Sequence, residues 1–158
     1  MTVAIVAAAP GMLHEATRRW AQAEGARICQ LDADVEAYWR LLAAEWDRPG
    51  DLILIEHDML PADGVTAAMG ACARPWCTSP YRIEHTWLQD GLGCVKLAGR
   101  LKTRHPGLMG RLGDVDGDGS PAKDWHRLDT RLSQLLRTLG YRPHVHKRSL
   151  HLHDYDRR

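Results

Sequence analysis

The sequence predicts an α/β protein built on a mostly parallel sheet flanked by helices, and three features carry that expectation. Thr2 to Ala8 is a nearly all-apolar run closed by Pro10 and Gly11, and Leu52 to Ile55 is the most hydrophobic tetrapeptide in the chain. Between them, helix-forming and strand-forming segments alternate. Short continuous apolar runs read as strands buried on both faces, the condition of a parallel sheet covered by helices. At 158 residues the chain fits one domain around one core.

The elements follow in order. Thr2 to Ala8 is the first strand. Leu13 to Glu24 is dominated by good helix formers and stopped by Gly25, and Arg27 to Leu31 supplies the second strand. Asp34 is placed to cap a helix from Val35 to about Trp46, with Tyr38, Leu41, Leu42 and Trp46 on one face. Pro49 and Gly50 end it, and Leu52 to Ile55 becomes a central parallel strand that delivers Glu56, His57 and Asp58 at its C-terminal end. Met59 to Asp90 reads as a short helix near Val65 to Cys72 plus loops. Leu92 to Leu101 begins a strand or a helix, and the Gly- and Asp-rich stretch 107–122 reads as a surface loop. Trp125 to Leu139, with leucines at 128, 132, 135, 136 and 139, is a helix stopped by Gly140. Arg142 to His153 alternates and supplies one or two short edge strands.

Composition narrows the function. Twenty-one basic residues against twenty acidic ones give a net charge of +1, so bulk charge does not mark a nucleic-acid binder. Val3 to Ala9 is too short for a signal peptide or a membrane span, which predicts a cytoplasmic protein with no membrane partner. In that compartment the four cysteines, Cys29, Cys72, Cys77 and Cys94, read as free thiols or a metal site before disulfides.

Two clusters suggest chemistry. Glu56 and Asp58 are two residues apart, so on an extended backbone they lean the same way and can share one hard cation. The alternative is a strand that ends in an acid capping the next helix. His144, His146, His151 and His153 put four imidazoles in the C-terminal stretch. They read either as a metal-binding group or as a solvated histidine cluster. Mixed carboxylate and imidazole ligands favour Mn²⁺, with Mg²⁺ as a substitute.

The order of these features resembles the GT-A glycosyltransferases, particularly the family-2-like branch and its small phage-encoded members. The carriers are a first strand ending in Pro10, a second ending near Asp32, and a hydrophobic strand leading into Glu56-His57-Asp58 at the D-x-D position, with Glu for the first Asp. Leu128-Asp129-Thr130-Arg131-Leu132 followed by Leu139-Gly140-Tyr141 resembles the family's E-D-x-x-L-x-x-R-L-x-x-x-G-Y helix. Leu128 stands where the pattern has an acid.

The resemblance implies a single GT-A domain over residues 1–158 with a minimal acceptor region, its nucleotide-binding half 1–58 and its acceptor and catalytic half 59–158. It implies a nucleotide-sugar donor, a UDP-sugar first, and a divalent ion held by Glu56, Asp58 and His151 or His153. Ala8, Ala9, Pro10, Asp32, Asp34 and Glu56 would contact the donor. Asp129 would be the base for an inverting transfer to an acceptor hydroxyl. The small relatives imply an acceptor in DNA carrying hydroxymethylated pyrimidines, a protein of the host cytoplasm, and a monomer or weak homo-oligomer. Competing readings are a nucleotidyltransferase or nucleotide-sugar hydrolase using the same residues, and a non-catalytic nucleotide- or DNA-binding module.

Three further groups stand apart. Cys72 and Cys77, with Cys94 and His85 nearby, read as thiols packed around Trp76 or as a zinc site bracing the acceptor region. Asp114, Asp116 and Asp118 begin like a calcium loop, but Trp125 stands where the bidentate Glu belongs. Arg100, Lys102, Arg104, His105 and Arg111 form a basic stretch suited to phosphates or to a solvated face, and Trp76, Tyr81 and Trp87 are candidate stacking partners for a flipped base.

Overall fold

The computed structural model describes residues 2–112 and 123–152, apart from the His126 side chain. Strand β1 (Thr2–Ala8) is followed by helix α1 (Glu15–Glu24), β2 (Arg27–Gln30), α2 (Ala37–Asp47) and β3 (Asp51–Glu56). This is the β-α-β-α-β order expected. Gly25 ends α1 with φ 65°, a conformation open to glycine, and its N–H returns to the carbonyls of Ala21 and Gln22.

The remainder comprises β4 (Met59–Leu60), α3 (Val65–Ala71), β5 (Trp76–Thr78), β6 (Tyr81–Ile83), β7 (Thr86–Leu88), β8 (Cys94–Leu97), α4 (Gly99–Arg104), a 3-10 turn at Leu108–Leu112, α5 (Trp125–Thr138), β9 (His144–Val145) and β10 (Leu150–His151). The stretch read as loops around the 65–72 helix therefore contains four short strands. The start of α2 also differs from expectation: Asp34 Oδ1 accepts the Glu36 N–H at 2.9 Å, closing a turn before the helix, and Glu36 occupies the cap position.

Six strands form the main sheet in the order β2-β1-β3-β8-β5-β9, and β4-β10 and β6-β7 are separate pairs. Five of the six run in one direction, while β8 lies antiparallel between β3 and β5. Side chains alternate across this sheet. Ile5, Leu52, Leu54, Trp76, Val95 and Leu97 pack on one face with Leu42 and Trp46 of α2 and Leu128, Leu132 and Leu136 of α5. Val6, Ile53, Ile55, Cys77 and Cys94 pack on the other with Ala21 of α1 and Val65 and Met69 of α3. The result is a helix-sheet-helix sandwich in which each fully buried leucine or isoleucine contributes about 1.5–3 kcal/mol.

The register sets the working edge. Ala7 lies opposite Glu56, Ala8 opposite Gln30, and Ile55 opposite Cys94, so the C-terminal ends of β1, β2 and β3 finish together. Open α/β sheets bind ligands at that edge.

Candidate functional site

At this edge lies a pocket of about 650 Å³ lined by Ala7, Ala9, Pro10, Met12, Leu31, Asp32, Ala33, Asp34, Val35, Tyr38, Glu56, His57, Asp58, Tyr81, Ile83, Trp125, Asp129 and His151. The wall comes from both halves of the chain. Glu56 is the last residue of β3, and its N–H donates to the Gly93 carbonyl at 3.0 Å. Asp58 follows in the turn to β4 and is buried. Pairing of β10 with β4 sets His151 opposite Met59, the Leu152 N–H donates to the Asp58 carbonyl at 2.8 Å, and His151 Nε2 comes within 3.0 Å of Asp58 Oδ2. His57 Nε2 is 4.0 Å from the same oxygen, and the His57 carbonyl takes the His14 N–H at the start of α1. A two-residue strand pair thus brings a C-terminal imidazole to a mid-chain carboxylate.

Helix α5 supplies Asp129. Leu128 and Leu132 on either side are buried against the sheet, which fixes the helix rotation, and the Trp125 N–H donates to the Val35 carbonyl at 3.1 Å, tying the helix start to the pocket's β2-α2 wall. Asp129 Oδ1 accepts the Thr130 N–H at 2.6 Å. Burial raises its carboxyl pKa, the Asp90 charge adds to this, and the Thr130 bonds oppose it.

Charge is the property that distinguishes the pocket. The described lining residues include five carboxylates and two histidines and no lysine or arginine. Asp32 and Asp34 are offset by Arg40, which is 3.7 Å from Asp32 and hydrogen-bonds Asp34. Glu56, Asp58 and Asp129 line the same pocket. Burial first, then the charges of Asp58 and Asp129, push the Glu56 carboxyl up to about 8, while His151 and Tyr38 pull it down. Burial and the same Glu56 charge also raise the phenols of Tyr38 and Tyr81.

Tyr81 has a built seat. A Cβ added at Gly91 would lie 2.4 Å from its hydroxyl and one at Gly93 would lie 2.6 Å from its ring, so glycine at both positions admits the ring that rests 5.8 Å, centroid to centroid, from His151. The pocket's mouth is apolar: Met12, Val35, Ile83 and Trp125 are all exposed there.

No protein-family model matches the sequence, and no curated protein is significantly similar to it. Among solved structures, the chain is similar to A197 from STIV, with TM-score 0.58 and 11% identity over 94% of this chain and 83% of that one. It is also similar to a glycosyltransferase involved in the glycosylation of the major capsid of PBCV-1, with TM-score 0.50 and 7% identity over 92% of this chain and 82% of that one. The fold is GT-A-like. At such identities the likeness is one of architecture.

Within the GT-A-like fold, Ala9, Pro10, Asp32, Asp34, Glu56, Asp58, Asp129 and His151 all line the one pocket. Ala8 is fully buried behind it, its carbonyl taking the Leu31 N–H at 2.9 Å. His153 and the Asp114 to Asp118 segment lie outside the described residues. From the sequence Tyr38 reads only as part of an apolar helix face and His57 has no assigned role; the place of His57 between Glu56 and Asp58 was the available signal, whereas Tyr38 reaches the pocket only through the packing of α2 on the sheet.

Other expected groups are placed elsewhere. Lys102 is buried and donates to the carbonyls of Glu45 and Arg48 at 2.8 Å each, closing the end of α2, and Arg100 donates to the Ala73 carbonyl. Two members of the basic stretch therefore serve the fold. Trp76 is 2% exposed and cannot stack on a base, whereas Trp87 is exposed with Arg148 over its ring at 4.2 Å. Among the described residues no helix is long and apolar enough to cross a membrane.

Proposed function

We propose that the protein is a glycosyltransferase that moves a sugar from a nucleotide-sugar donor to an acceptor hydroxyl in this pocket. The observation that carries the reading is a GT-A-like pocket in which Glu56, Asp58 and Asp129 converge with no lysine or arginine among the described lining residues. A diphosphate entering such a site needs a cation to join it to the carboxylates. Asp58 and His151 would hold it, with Asp58 Oδ2 and His151 Nε2 already 3.0 Å apart at the pocket wall. Carboxylate with imidazole favours Mn²⁺, and Glu56 stands close enough to raise its own pKa against Asp58. When bound, the ion offsets the charge that develops on the departing diphosphate.

The chain's own residues do the rest. Ala9 and Pro10 form the floor at the end of β1, with Ala8 shaping it through backbone bonding. Asp32 and Asp34, oriented by Arg40, face the donor's ribose or base, and Leu31 and Val35 offer an apolar wall beside them. Asp129, its carboxyl pKa raised by burial, accepts the acceptor's hydroxyl proton as the oxygen attacks the anomeric carbon. Attack from the side opposite the diphosphate inverts that centre. Trp125 and Ile83 at the mouth offer exposed apolar surface to a sugar face or a base.

The test incubates the protein with Mn²⁺ and a panel of sugar nucleotides, UDP-sugars first, and reads nucleoside diphosphate release and sugar-bearing products by mass spectrometry. Metal-dependent release that disappears in Asp58→Asn supports the reading. Free sugar without any acceptor product would assign a nucleotide-sugar hydrolase instead, and donors that neither bind nor react would end the proposal.

A further inference from the structure

Away from the acidic pocket, Cys72, Cys77 and His146 bring three possible ligand atoms within 4.8 Å of one another, the one such group among the described residues. Two separate devices of the fold assemble it. Cys72 closes α3, its N–H bonded to the Met69 carbonyl at 3.1 Å, and the chain then turns into β5 with four residues between the thiols. On the far side β9 joins the sheet edge parallel to β5, Cys77 opposite His144, and the His146 N–H donates to the Thr78 carbonyl at 2.8 Å. Residues two apart on an extended edge share a face, so His144 and His146 both follow Cys77 to one side. Their rings lie edge to face, 4.8 Å between centroids.

We propose that Cys72, Cys77 and His146 form a structural site for a soft divalent metal, Zn²⁺ first, with His144 turning in as the fourth ligand. Two thiols and an imidazole suit Zn²⁺ and exclude Mg²⁺ and Ca²⁺. The buried Nε2 of His146 has no hydrogen-bond partner, as a metal ligand awaiting its ion would not. The Arg74 N–H points to Cys72 Sγ at 3.5 Å, a contact that favours the thiolate. Lys96 also faces this region, but its ammonium is spent on the Cys72 carbonyl at 2.6 Å and on Asp51 at 3.1 Å. Binding releases the two thiol protons, and the two thiolates balance the ion's charge. The site would clamp β9 to α3 and β5, and so hold the segment that carries His151 back to the pocket. The site needs no sugar transfer, so its failure and that of the glycosyltransferase reading are separable.

Titration of the fully reduced chain with Co²⁺, followed by absorption, tests it. The expected result is a thiolate-to-metal charge-transfer band that saturates at one equivalent per cysteine site, with the strong visible absorption of tetrahedral cobalt, bleached by Zn²⁺ and separate from any ion taken by the carboxylate pocket. Cys72→Ser and His146→Gln should each weaken binding by more than the roughly 10–100-fold that outer partners contribute. Cys29→Ser, on β2, and Asp58→Asn should leave the band intact. Should Cys77→Ser fail to fold because Cys77 is buried, the two partly exposed positions carry the comparison. A reduced protein with no charge-transfer band, or a band unchanged in Cys72→Ser, overturns the proposal.

Discussion

The acidic pocket and the cysteine-histidine cluster offer opposite kinds of donor, yet one short C-terminal segment serves both, with His151 at the first and His146 at the second. In the pocket, like charges crowd at the sheet edge: burial and the charges of Asp58 and Asp129 raise the cost of ionising Glu56 and leave the group open to an incoming ligand. In the cluster, Cys77 is packed among apolar side chains, where burial pushes its thiol up to about 12, and the ligand atoms have already closed to within 4.8 Å. Open repulsion suits a site that binds and releases; closed packing suits one that braces. Softness of the donors keeps the two from competing for the same ion.

The largest effect separating the two should come from Asp129→Asn. Loss of a positioned base lowers kcat by about 10²–10⁴-fold, and steady-state kinetics should show the donor KM little changed while the cobalt-thiolate band persists. A parallel loss of donor affinity would make Asp129 a binding residue.

Next in size is the pH response of Glu56. Its carboxyl is raised from 4.5 to about 8, so the folded chain holds a proton there that the unfolded chain releases. Stability from this source is complete below the lower value and falls as pH rises through the upper one, by roughly a few kcal/mol at most. Metal-free Glu56→Gln should therefore melt higher than the parent at pH 9 and close to it at pH 5. Equal differences at both pH values would show that the carboxyl is not repelled by its neighbours.

Smallest is Gly93→Ala, where the new Cβ meets the Tyr81 ring at 2.6 Å. Overpacking of this kind costs about 1–3 kcal/mol, read as a lower urea midpoint. Because Tyr81 stacks near His151, donor affinity should fall as well, with no change at the cysteines.

Much of this was legible in the residues. Long apolar runs gave β1 and β3, leucine spacing gave α5, and the Glu56-Asp58 pair at a strand end marked the pocket's floor. The four short strands between Met59 and Leu88 carried no such signal, because two or three residues show no period and each depends on a partner far along the chain. Lys102 illustrates the same limit: in sequence it belongs to a basic run, and only the fold shows it spanning two carbonyls at the end of α2. Cys72, Cys77 and His146 were each recognisable as possible metal ligands by type, but their grouping was not, since His85 and Cys94 are nearer to the cysteines in sequence. Cys94 instead lies within reach of the hydroxyls of Ser79 and Ser149.

The pairing of β10 with β4 joins only two residues on each side, Leu150 with Leu60 and His151 with Met59. Docking so brief adds little free energy by itself, so the fraction of molecules with the imidazole seated enters directly into any measured dissociation constant. A substitution at Leu150 or Leu60, touching neither ion nor sugar, would then weaken apparent affinity in proportion to the seated population it removes.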